Sequence, residues 1–171
     1  MQYRIMAKRH NELPTMNREE WVALFERAFK SMDDRLGQVL QLQGCREHWI
    51  QAEISLYAYY HDRIDIWTDG GIGDRRKIDL YALDEAQRME MVAEVKCLGD
   101  RSQAKCLEGA WSVSADIERL RCVDCPSRIF ILVIPHDESE SAVGKALREK
   151  NWSGLSMDLK LDSALIRMWI V

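Results

Sequence analysis

Two carboxylates and an ammonium group lie close together in the middle of this chain. Asp79 stands in Lys77-Ile78-Asp79-Leu80-Tyr81-Ala82-Leu83, and Glu94 and Lys96 stand in Met91-Val92-Ala93-Glu94-Val95-Lys96-Cys97. Glu94 and Lys96 are two residues apart, so in a strand their side chains leave the same face. Paired as a hairpin, the two segments bring Asp79, Glu94 and Lys96 to one end. Carboxylates crowded in this way repel unless a cation lies between them, and all-oxygen donors suit a hard divalent cation. A neighbouring lysine then orients a water and stabilises charge developing on a phosphate. The chemistry is metal-assisted hydrolysis of a phosphoester.

The surrounding residues place these groups on strands. Ile78-Asp79-Leu80 is a lone acid among apolar neighbours. Val92 and Val95 give the second segment the β-branched character of a buried strand, and the polar stretch Asp84 to Arg88 makes the turn between them. An acid on one strand followed by Glu-x-Lys on the next resembles the signature of the PD-(D/E)XK nuclease superfamily, with Ile78 where the family name has proline. The resemblance implies an α/β chain with a restriction-endonuclease-like core, a mixed central sheet flanked by helices. It implies that Asp79, Glu94 and the backbone carbonyl of Val95 hold Mg²⁺ or Mn²⁺, and that Lys96 positions the attacking water. Similar proteins often carry a further glutamate on the helix before these strands. Glu53 takes that role here, with Asp65, in Arg63-Ile64-Asp65-Ile66-Trp67, as its rival. The implied activity is a metal-dependent endonuclease acting on DNA, alone, as a homodimer or with a partner protein. The alternative is an interaction module that keeps the fold without turnover.

The remaining elements follow from periodicity. Residues 17–35 read as a helix, with Asn17 as N-cap and Glu20 at the capping-box position, and Trp21, Leu24, Phe25, Ala28, Phe29 and Met32 as its buried stripe. Gly37 and Gly44 loosen the chain before a second helix from Glu47 to about Tyr60. Arg63 to Trp67 alternates like a strand, and Asp69 to Asp74 reads as a glycine-rich loop. This loop lacks the Lys-Ser/Thr of a phosphate-binding loop. A helix from Gln103 to about Cys122 then leads to the apolar strand Arg128 to Ile134, whose unbroken apolar character suits burial on both faces. Strand, strand, crossover helix and strand make this last strand parallel to the Glu94 strand. The core spans about residues 45–135 of a single domain covering 1–171. A C-terminal helix (139–150) and two short strands (156–171) complete it.

Composition sets the wider limits. At 171 residues the chain builds one sizeable core. The absence of a long apolar run argues against a membrane span, and a cytoplasmic location is the expectation. Net charge is −4, so no global basic field draws the chain to nucleic acid. Local groups must do so: Arg76, Lys77, Lys105 and Arg119 are the candidates. Asp116 and Arg119, one helical turn apart, otherwise read as an exposed ion pair. Five cysteines, an odd number, point to reduced thiols, and Cys122-Val123-Asp124-Cys125 lacks the second pair a zinc site needs. None of the four histidines lies in the acidic motif, which suits hydrolysis that needs no histidine base.

Overall fold

In the computed structural model, residues 16–42, 44–71, 77–98, 112–139, 142–149 and 156–171 are described. The first helix, α1 (Arg18–Leu40), starts at the predicted capping box. Asn17 Oδ1 accepts the Glu20 amide at 2.9 Å, and Glu20 Oε2 accepts the Asn17 amide at 2.7 Å. The helix continues beyond residue 35 because Gly37 does not interrupt it. A Cβ there would come within 3.2 Å of Ser163 Cβ, so glycine allows α1 to lie close against the turn at Ser163. Helix α2 (Arg46–Tyr57) follows and ends in a π-helical turn over Ala58–Asp62, with Arg63 left-handed at φ 60°.

The first strand, β1 (Trp67–Gly71), starts later than the alternation at Arg63 to Trp67 suggests and runs into the expected glycine loop. The reason is local packing: a Cβ on Gly70 would lie 2.5 Å from the Tyr81 ring, so only glycine lets β1 pass beneath that ring. Strands β2 (Lys77–Leu83) and β3 (Met89–Cys97) form the predicted antiparallel hairpin, with a register shift between Ala82 and Leu83. The turn is held by Asp84, which accepts the Arg88 amide at 2.8 Å through Oδ1. Then come α3 (Val113–Arg121), β4 (Ser127–Pro135), α4 (His136–Ser139), α5 (Ala142–Glu149), β5 (Ser156–Lys160) and β6 (Ala164–Ile170). The segment 103–111, expected to begin the crossover helix, lies outside the described residues.

These strands make one mixed sheet in the order β1-β2-β3-β4-β6-β5. Among the described strands only β3 and β4 are parallel, with Glu94 opposite Phe130, and the connection through α3 allows that direction. Alternation along β3 sorts its side chains. Ala93, Val95 and Cys97 enter the core beneath α1 and α2, with Phe25, Phe29, Ile131 and Ile166. Val92 enters the opposite core, against Ile117 and Leu120 of α3 and Phe130 and Leu132 of β4. Each large apolar side chain buried in these layers contributes about 1.5–3 kcal/mol. The result is a single α/β domain: a six-stranded mixed sheet with helices on both faces. Among the described residues, no helix is long and apolar enough to cross a membrane.

Candidate active site

Even-numbered residues of β3 face α3, so Glu94 and Lys96 emerge on that side beyond Val92. At the same point the β2–β3 ladder ends. Leu80 opposite Ala93 is its last registered pair, and from there Asp79 Oδ2 accepts the main-chain amide of Val95 at 2.8 Å. A side-chain oxygen thus replaces the carbonyl that a continued ladder would supply, and it brings the Asp79 carboxyl into hydrogen-bond contact with that of Glu94. The hairpin termination creates the acidic pair.

Glu94 is 3 % exposed. Burial pushes its carboxyl up to about 8, with the Asp79 charge adding to the rise and the Arg119 guanidinium opposing it. Arg119 reaches across from α3, and its Nε donates to Glu94 Oε1 at 2.7 Å. The other arm of the guanidinium, Nη2, donates to Asp116 Oδ1 at 2.5 Å. Asp116 Oδ2 in turn lies 3.1 Å from Lys96 Nζ. The expected surface ion pair is therefore a buried one, since Asp116 sits on the same stripe of α3 as Val113, Ile117 and Leu120 and is 2 % exposed. Desolvation lowers the Lys96 ammonium, but Asp116, Glu47 and Asp79 outweigh it and hold the group above its ordinary value.

A fourth carboxylate comes from α2, and it is not Glu53. Glu47, in the first turn, accepts the Cys97 amide at 2.9 Å through Oε1. Burial raises its carboxyl, with Asp79 and Asp116 adding to the rise, while the Cys97 amide and Lys96 pull it down. Glu47 thus shares the field of Lys96, Asp79 and Asp116. Six residues further along α2, Glu53 lies on a different face, where Arg35 Nη2 approaches Glu53 Oε2 at 3.1 Å. Asp65 is exposed and lies before β1, four residues ahead of Asp69, the β1 residue level with Asp79. Neither Glu53 nor Asp65 joins the cluster.

Glu47 was legible in principle. Ile50, Ile54 and Ala58 mark the buried stripe of this helical segment, and Glu47 falls on it at steps of three and seven. Of the basic candidates, Arg119 is in the site, whereas exposed Lys77 pairs with Asp69 at 3.4 Å. Arg76 and Lys105 lie outside the described residues. The cysteine pair contributes nothing here: Cys122 is exposed and Cys125 is buried with its thiol directed to Ser127 O.

Four carboxylates and two cations therefore meet where β3 and α3 converge, near the carboxyl end of β3. Among the described residues no three carboxylates converge tightly enough to make a ready-formed metal centre, and Arg119 and Lys96 provide the counter-charge. The donor set is nevertheless of the kind a hard divalent cation takes, because Asp79 and Glu94 are carboxyls in mutual contact. No family model, curated protein or solved structure matches this chain.

Proposed function

We propose that the chain is a metal-dependent endonuclease that hydrolyses phosphodiester bonds, with DNA as its substrate, on a restriction-endonuclease-like core. The observation that carries this reading is charge balance. Glu47, Asp79, Glu94 and Asp116 outnumber Lys96 and Arg119 by two, burial raises the Glu94 and Glu47 carboxyls toward the neutral form, and one divalent cation that displaces those protons balances the excess. Element order supports the same reading: a helix bearing an inward glutamate, an antiparallel hairpin bearing Asp79 and Glu94-Val95-Lys96, a crossover helix and a parallel strand.

In this mechanism Asp79 and Glu94 are the residues that would hold Mg²⁺ or Mn²⁺, with Glu47 as the additional acid and the Val95 carbonyl as a further donor. A bound divalent ion supplies charge stabilisation and a more acidic water. Lys96, fully charged and only 19 % exposed, orients the water by hydrogen bonding and offsets negative charge gathering on the phosphate. The side chain of Arg119 meets a non-bridging phosphate oxygen as well as Glu94. Exposed Lys77, with Arg76 and Lys105, supplies sequence-independent contacts to the backbone.

A second reading is an interaction module that does not turn over. One observation favours it: Arg119 and Lys96 already engage Glu94 and Asp116, so the network has counter-charges of its own. Incubation of the purified chain with supercoiled plasmid and a single-stranded oligonucleotide, in Mg²⁺, Mn²⁺ or EDTA, separates the two. Metal-dependent nicking that is lost in Lys96→Ala supports the nuclease. Intact substrates in every condition, with a folded wild type, would support the module.

A further inference from the structure

We propose that Asp116 is a positioning residue that distributes the two cations of the site between itself and the carboxylates of the hairpin. Its two oxygens have different partners: Oδ1 holds the Arg119 guanidinium and Oδ2 holds the Lys96 ammonium. Arg119 is thereby oriented so that its Nε reaches Glu94 Oε1 while Nη2 remains on α3. Lys96, one residue before the amide that Glu47 accepts, pairs with Asp116 on α3 while still in the field of Glu47 and Asp79. Asp116 is almost wholly buried, so little water competes with the two cations for its oxygens.

Without the Asp116 charge, both cations turn to the remaining carboxylates, Glu94, Asp79 and Glu47. Those are the groups assigned to the divalent ion, so the inference rests on the nuclease reading for its consequence, though not for its geometry. A carboxylate one shell out governs metal capture in this way by orienting first-contact groups, and its loss typically weakens binding by roughly 10–100-fold.

The test uses the full chain and Asp116→Asn, which keeps the shape and removes the charge. In the metal-free protein, the Arg119 Nε–H signal in proton–nitrogen NMR, assigned by its loss in Arg119→Gln, exchanges slowly with water because Glu94 accepts it. In D116N the backbone amide spectrum stays native while this signal moves or exchanges several-fold more slowly, because the guanidinium is then held by the hairpin carboxylates alone. An Arg119 signal identical to wild type overturns the proposal. Mn²⁺ titration then reads the consequence: binding is about tenfold weaker in D116N, but D116N adds clearly less weakening in the R119Q background, where Lys96 alone is left to turn to the carboxylates. Equal weakening in both backgrounds overturns the coupling and leaves Asp116 as a general negative charge. If wild type binds no Mn²⁺, the NMR arm still decides the positioning role, and the nuclease reading alone fails. If D116N does not fold, R119Q decides: removal of the cation shared between Asp116 and Glu94 tightens Mn²⁺ binding several-fold, and unchanged binding overturns the proposal.

Discussion

Asp79 Oδ2 accepts the main-chain amide of Val95 at 2.8 Å, across sixteen residues of sequence, at the point where the β2–β3 ladder stops. One side chain therefore both ends the hairpin and supplies an acid to the site. Asp79→Ala leaves the Val95 amide, on a residue 2 % exposed, without an acceptor, which costs about 1–3 kcal/mol. Asp79→Asn keeps a carbonyl acceptor and costs less than about 1 kcal/mol. Thermal unfolding resolves the two, since each kcal/mol moves the midpoint by roughly 2–4 °C in a chain of this size. Both variants lose the stabilisation by Mn²⁺, because neither has the charge. Equal midpoints for the two variants would show that the Asp79 to Val95 bond does not secure the hairpin end.

Gly70 tests the neighbouring edge of the sheet. Its Cβ position lies 2.5 Å from Tyr81 Cδ1 and 2.8 Å from Cε1, well inside contact distance. Because the Tyr81 ring is also approached at Cγ, near its root, small torsional adjustment does not clear the collision. Gly70→Ala is expected to destabilise by roughly 1–3 kcal/mol, as overpacking does. In a Tyr81→Ala background the same substitution is nearly neutral, and denaturant midpoints for the four proteins make the cycle.

The strand carrying Asp79 and the motif carrying Glu94 and Lys96 were legible because a short polar turn separates two apolar runs, each broken only by its charges. The predicted β2 segment, Lys77 to Leu83, matches the observed strand, and the Arg128 to Ile134 run lies within β4. The helix glutamate was misplaced for a physical reason. Glu53 has apolar neighbours in sequence, but on a helix adjacent residues do not share a face, and Ile50 and Ile54 mark the stripe of Glu47 instead. Asp116 was hidden by the same convention that makes an Asp and Arg at three-residue spacing a surface pair. Its position between Val113 and Ile117 put it on the buried face. The strand start at Trp67 could not be read, because the reason Gly70 enters β1 is a tyrosine eleven residues away in another strand.

The two glutamates of α2 separate the observed site from the one expected from sequence. Glu47→Gln keeps an acceptor for the Cys97 amide but removes a charge beside Lys96, and metal-dependent cleavage falls by about 100-fold or more. Glu53→Gln weakens only the contact with Arg35, a half-exposed partner, and leaves cleavage and the Mn²⁺-dependent melting shift near wild type. Plasmid nicking rates for the two variants under one set of conditions decide the matter. The reverse order, with E53Q inactive and E47Q unaffected, would remove Glu47 from the site.

Glu94 gives the pH dependence its sign. Burial raises its carboxyl from the usual 4.5 to about 8, so the folded, metal-free protein binds this proton more tightly than the unfolded chain does. The resulting stability is fully present below about pH 4.5 and is lost as pH rises through about 8. Glu47, raised by burial as well, contributes with the same sign. Lys96 and Arg119 are both raised further above their already basic ordinary values, so they titrate above this window and do not reverse it. Unfolding by urea in EDTA between pH 5 and pH 8.5 is expected to show a declining contribution that flattens in Glu94→Gln, which cannot release the proton. Mn²⁺ reverses the trend in wild type, because binding displaces that proton: its affinity rises with pH and levels off above about 8. A Glu94→Gln protein with the wild-type slope would show that another group holds the proton.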